Sequence, residues 1–84
     1  MIDLQKRFES AVASSKNLSE RPDNMTLLKI YGLYKQSTQG DNTDVKPSFT
    51  DMVARAKWDA WTKCQGMSQD EAMEAYISLI ESLS

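Results

Sequence analysis

The chain has 84 residues, a formal net charge of −2, one cysteine and no histidine. That length sets one small domain, residues 1–84, and the 40% hydrophobic and 26% charged content is that of a folded chain and not a disordered one. A lone cysteine excludes an intrachain disulfide, the missing histidine removes the commonest general base and zinc ligand, and the acidic balance gives nucleic acid no general attraction.

Four segments carry helical periodicity and none alternates with period two. The first runs from about Asp3, a fitting N-cap, to Ser15, with Leu4, Phe8, Ala11 and Val12 on one stripe. The second runs from about Asp23 to Ser37. Its stripe of Leu27, Ile30, Tyr31 and Tyr34 is widened by Leu28 and Leu33, so this helix needs more than one neighbour, or a neighbour and a ligand. A polar loop with Gly40, Asp41 and Pro47 follows.

The third helix spans about Thr50 to Gln65, with Gly66 as its C-terminal stop. It carries Val53, Ala56 and Ala60 beside Ala54, Trp58 and Trp61, and both tryptophans are assigned mainly to the core. The fourth opens on a capping box, Ser68 with Glu71, ahead of a stripe through Ala72, Met73, Tyr76, Leu79, Ile80 and Leu83. Met25, Met52, Met67 and Met73 read as gap-fillers, and Cys64 as a small buried hydrophobe.

The short first and third connections make each helix pair antiparallel. The middle connection, about a dozen residues, is long enough to run back along a whole helix, since about 3.3 Å per extended residue exceeds twice the helical rise. The expected fold class is all-α, a four-helix bundle of up-down-down-up order with a long loop between helices two and three. No apolar run approaches the ~20 residues of a membrane span, and the N-terminus lacks a signal-peptide core, so the expected location is cytoplasmic.

Taken alone, Tyr31, Tyr34 and Tyr76 read as core-edge tyrosines, and Lys35 and Lys57 as solvated lysines. Longer strings change that reading. Tyr31-x-x-Tyr34-Lys35-Gln36-x-Thr38-x-Gly40-Asp41 and Ala56-Lys57-Trp58-Asp59-Ala60-Trp61 stand with Phe8, Lys16, Arg21-Pro22, Pro47, Gly66, Ala72 and Ala75-Tyr76. This ordered set resembles the acyl-CoA-binding protein family over nearly the whole chain.

The resemblance implies a bundle that binds one medium- to long-chain acyl-CoA ester without chemistry, as a carrier or buffer in lipid metabolism. It implies no cofactor, no metal and no nucleic acid. The protein would be a monomer, not embedded in a membrane, that touches membranes or acyl-CoA-using enzymes transiently. The implied head-group site is Lys16, Tyr31, Tyr34, Lys35, Lys57 and Tyr76, with Tyr31 stacking on adenine and Lys35 and Lys57 meeting the ribose 3′-phosphate. Phe8, Val12, Leu27 and Leu28 would line the acyl and pantetheine groove. Val53, where the family often has a basic residue, is placed with them. The competing reading is a small helical protein-interaction module without a lipid ligand. A helix-turn-helix DNA binder is disfavoured by the acidic fourth helix, with Asp70, Glu71, Glu74 and Glu81.

Overall fold

The computed structural model describes residues 3–84. Four helices make up its regular structure: α1 (Leu4–Ser15), α2 (Asn24–Gln39), α3 (Met52–Thr62) and α4 (Gln69–Leu83). Each begins where a side chain can satisfy an otherwise orphaned backbone N–H. The Asp3, Asp23 and Asp51 carboxylates accept from the N–H groups of Lys6, Thr26 and Ala54. Ser68 and Glu71 form the full reciprocal box, at 3.0 and 2.9 Å.

The ends depart slightly from expectation. Helix α2 continues past Ser37 to Gln39 and stops at Gly40, whose φ of +79° suits glycine and whose N–H still reaches the Gln36 carbonyl. Helix α3 is shorter than Thr50–Gln65. Beyond Thr62 the chain tightens, with Cys64 N–H donating to Trp61 O and Gln65 N–H to Thr62 O, until Gly66 reverses it at φ +94°.

Helix α2 packs on both α3 and α4, and α1 packs on α4. Directions follow from the residue pairs. Arg7 bonds Glu74 at 3.2 Å, and further along Ser14 and Ser84 border one crevice, so α1 and α4 run the same way. Tyr31 lies by Lys57 and Lys35 by Trp61, so α2 and α3 are parallel. Gln36 near the end of α2 bonds Met67 just ahead of α4, so these two are antiparallel. The order is up-down-down-up. The short connections nevertheless join helices whose backbones stay apart, because no Cα of α1 comes within 8 Å of α2, nor of α3 within 8 Å of α4.

The core is Phe8 and Ala11 of α1, Leu33 of α2, and Met73, Tyr76, Ile77 and Ile80 of α4. Helices α2 and α3 meet at Gly32. A Cβ there would lie 2.5 Å from the Ala60 carbonyl oxygen, so only glycine permits this approach. Beside that crossing Trp61 is buried and its indole donates to Gly40 O at 2.8 Å. Trp58 is not the core residue expected. It stays half-buried and donates to Asp44 O at 3.0 Å, anchoring the loop. With Asn42 bonded to Thr62 Oγ1 at 3.0 Å, residues 40–51 run back along α3.

Met73 is buried and Met67 packs against the core, as expected of gap-fillers. Met25 and Met52 are exposed instead, at 72% and 77%. Cys64 is half-buried, and burial pushes its thiol pKa up. No described helix is long and apolar enough to cross a membrane.

Candidate functional site

The side chains singled out by sequence gather on the face of α2 that carries Tyr31, Tyr34 and Lys35. Three and four positions separate them, which places them on one side of a helix. Because α2 and α3 run parallel and close together at Gly32, Lys57 comes across to the same side. Its ammonium stands 5.5 Å from the centre of the Tyr31 ring. Lys35 lies one turn on, its ammonium 4.8 Å from the centre of the Trp61 ring. Neither lysine has a carboxylate within salt-bridge distance among the described residues. Two cations and a phenol ring thus face solvent with no anion of the protein's own.

A second group joins them from α1 and α4. Phe8, Tyr34 and Tyr76 form an aromatic cluster: Phe8 meets Tyr76 edge-on at 5.0 Å and Tyr34 nearly parallel at 6.1 Å, while Tyr34 and Tyr76 are 6.4 Å apart. This is also how α1 reaches α2, through rings rather than backbone. Tyr76 is 2% exposed, whereas Tyr34 is 41% exposed and forms the outer member. Burial raises the Tyr76 phenol pKa above its usual 10.0; a hydrogen bond with Ser15 opposes this and the Tyr34 phenol reinforces it. Tyr76 therefore stays a neutral hydroxyl across the physiological range. Lys16, next after Ser15 at the C-cap of α1, is exposed.

The residues assigned to the groove fall into different places. Phe8 is 3% exposed and is a core residue, and Val12 packs against the same core. Leu27 and Leu28 are half-buried on α2. Val53, in the first turn of α3, is 68% exposed and touches no part of the core cluster. Of the five, Leu28 alone borders a cleft of about 1030 Å³ between α3 and α4.

Sequence reasoning quoted Gln36 and Asp41 without giving them a task. Gln36 is fully buried, and its amide donates to Asp41 Oδ1 at 2.8 Å and to Met67 O at 2.9 Å. Asp41 also accepts from the Gly66 N–H at 2.9 Å. These bonds lower the Asp41 pKa, the Gly66 contribution being the largest. One carboxylate and one amide so tie the end of α2 to the turn between α3 and α4. The ordered Gln36-x-Thr38-x-Gly40-Asp41 string was the available signal for this clamp.

Among the described residues no group of three or more metal-ligating side chains is placed to hold an ion at this site. What it offers is ring faces, unpaired ammonium groups and phenol hydroxyls, the means to grip an aromatic base and phosphate. The family model described as acyl CoA binding protein matches residues 5–80.

The chain belongs to the acyl-CoA-binding protein family. It is 46% identical over 76 residues to acyl-CoA-binding protein homolog 1 of Caenorhabditis elegans, covering 90% of this chain and 88% of that one. It is 45% identical over 82 residues to the acyl-CoA-binding protein of Brassica napus, covering 98% and 89%. The crystal structure of Oryza sativa acyl-CoA-binding protein 2 superposes with a TM-score of 0.92 at 40% identity, covering 95% of this chain and 87% of that one. An acyl-CoA-binding protein of Moniliophthora perniciosa gives 0.87 at 29% identity, covering 94% and 78%. The four-helix fold is shared with these two solved acyl-CoA-binding proteins.

Proposed function

We propose that this protein binds one medium- to long-chain fatty acyl-CoA ester without transforming it, and serves as a monomeric cytoplasmic carrier or buffer for that ligand. The observation that carries the proposal is the placing of Lys57 over Tyr31, across the α2–α3 seam, with no carboxylate paired to it. A nucleotide bearing phosphate fits such a pair, its base on the ring and its phosphate at the ammonium. Lys35 supplies a second ammonium for the ribose 3′-phosphate and Lys16 a third for the phosphate chain. Tyr34 and Tyr76 offer hydroxyls to the middle of the ligand. The acyl chain would follow the α2 surface past Leu27 and Leu28, gaining about 0.8 kcal/mol for each CH₂ it buries. Family membership supports the ligand class and disfavours a protein-interaction module.

Titration with palmitoyl-CoA, free CoA and palmitate tests the reading, followed by tryptophan fluorescence and calorimetry. The ester should bind one to one and much more tightly than either half. Trp61 should report it, because drawing Lys35 onto phosphate removes a cation from the indole face. Failure of the ester to bind, or palmitate binding as tightly as the ester, would refute the assignment.

A further inference from the structure

Large hydrophobic side chains are exposed in few places among the described residues, and Val45, Phe49, Met52 and Val53 are crowded into one short segment ahead of and into α3. Met25, also exposed, belongs to the same end of the molecule. Tyr31 stands level with Lys57 on the parallel helices α2 and α3. Counting back from that pair, Met25 lies about 9 Å along the α2 axis and Met52 about 7.5 Å along the α3 axis. Leu27 and Val53 are each one turn back from the pair, on the same helix faces. Met25, Phe49, Met52 and Val53 therefore surround the end of α2 and α3 toward which Leu27 leads an acyl chain.

Local bonding holds these side chains outward. Phe49 is 79% exposed in a turn whose polar groups bond one another. Ser48 Oγ lies 2.9 Å from Thr50 Oγ1 and accepts from the Thr50 N–H at 3.2 Å, and the Asp51 N–H donates to Ser48 O at 3.0 Å. Asp51 then caps α3, and Asp23 caps α2. A surface whose backbone bonds are made internally loses few of them on leaving water. The four side chains protrude singly and form no groove that a peptide would fill. A protein partner has to match such points in shape, whereas a lipid headgroup layer yields around them. The charges nearby select no anionic surface: Asp23 and Asp51 offset Lys29 and Lys46, and Arg55 is paired with Asp59 at 3.4 Å.

We propose that this apolar end is a docking surface for a zwitterionic lipid bilayer, with Met25, Phe49 and Met52 entering the headgroup layer and the opening between Leu27 and Val53 brought against the hydrocarbon. An acyl chain then passes between bilayer and protein without exposing its methylenes to water. The purpose of the surface rests on the acyl-CoA reading given above, but the surface itself can be tested without ligand.

Ligand-free protein injected beneath a phosphatidylcholine monolayer should raise its surface pressure, and the variant Phe49→Ser with Met52→Ser should not. In solution that variant should bind palmitoyl-CoA as the parent does, since neither residue belongs to the head-group or groove set. From preloaded parent protein, palmitoyl-CoA should pass to phosphatidylcholine vesicles at a rate proportional to vesicle concentration. The variant should deliver it about tenfold more slowly, having lost two apolar side chains from the contact. Replacing part of the phosphatidylcholine by phosphatidylserine should bring no acceleration. A parent protein that leaves the monolayer undisturbed overturns the proposal, as does transfer at a rate independent of vesicle concentration or insertion that appears only with phosphatidylserine. Self-association abolished by the same substitutions, with no monolayer penetration, would make the patch a contact between copies and overturn it equally. Penetration that requires Phe49 and Met52, in a protein that binds no palmitoyl-CoA, would keep the docking surface and count against the nucleotide site alone.

Discussion

Gly32 and Ala60 lie so close that a methyl group added to the glycine would sit 2.5 Å from the alanine's carbonyl oxygen. That contact sets the spacing of α2 and α3, and hence the reach of Lys57 to Tyr31. Gly32→Ala would ordinarily favour the helix by about 1 kcal/mol. Here the clash is with backbone, and overpacking of this kind costs about 1–3 kcal/mol. A urea melt should show net destabilisation, and palmitoyl-CoA affinity should fall as the helices part. An unchanged midpoint would mean that the seam yields without cost.

Lys35 and Lys57 should matter to binding far more than to stability. Each charge-assisted bond to phosphate contributes about 1.5–3 kcal/mol, so Lys57→Ala should weaken palmitoyl-CoA binding by about tenfold or more while lowering the melt only slightly, through the lost contact with Tyr31. Lys35→Ala should also shed the contact with Trp61, about 0.5–1 kcal/mol of stability. Calorimetric titration of both variants decides the matter, and normal affinity in both would place the phosphate elsewhere.

Phe8 should behave as a core residue. It is buried between Tyr34 and Tyr76, so Phe8→Ala should cost about 3–5 kcal/mol. Phe8→Leu, which keeps most of the volume, should retain both the fold and palmitoyl-CoA binding. A well-folded Phe8→Ala variant that loses only ligand affinity would show that Phe8 serves the groove and not the core.

Asp41 gives the fold an acid sensitivity. Its pKa is lowered below the usual 3.8 by the Gly66 N–H and then by Gln36. A depressed carboxylate pKa favours the folded state at pH above the unfolded value, and the benefit is lost as pH falls through the folded one. Asp41→Asn should therefore melt earlier than the parent at neutral pH, and the two melting temperatures should converge as pH falls below the usual carboxylate pKa. A constant difference at every pH would show that the charge is irrelevant there.

Much of the architecture was legible because local chemistry agreed with it. The aspartates before α1 and α2 and the serine before α4 marked helix starts, and the spacing of Tyr31, Tyr34 and Lys35 put them on one face. The family strings then brought in Lys57 and Tyr76 from other helices, which no periodicity could do. What stayed hidden depended on partners remote in sequence. Trp58 has the size of a core residue, yet the loop carbonyl of Asp44 holds its indole at the edge. Met25 and Met52 look like filler on hydropathy alone and lie where no helix covers them. Phe8 and Val12, which the family resemblance put in the groove, also pack into the core with α4, a second task that the resemblance did not show. The cleft behind α2 could not be read, because it is made by two helices failing to touch.

The pairing of α1 with α4 bears on how the chain reaches this form. Arg7 and Glu74 are separated by 67 positions, so the seam they help close joins nearly opposite ends of the polypeptide. Loop-closure entropy must be met before such contacts return anything, whereas most helical proteins find their partners nearby. Helix α1 is made before α4, and until α4 is complete only the Tyr34 ring of α2 offers it anything to pack on. Its two buried residues, Phe8 and Ala11, wait longest of all the core for their neighbours, and the rate of folding should be set by how soon they find them.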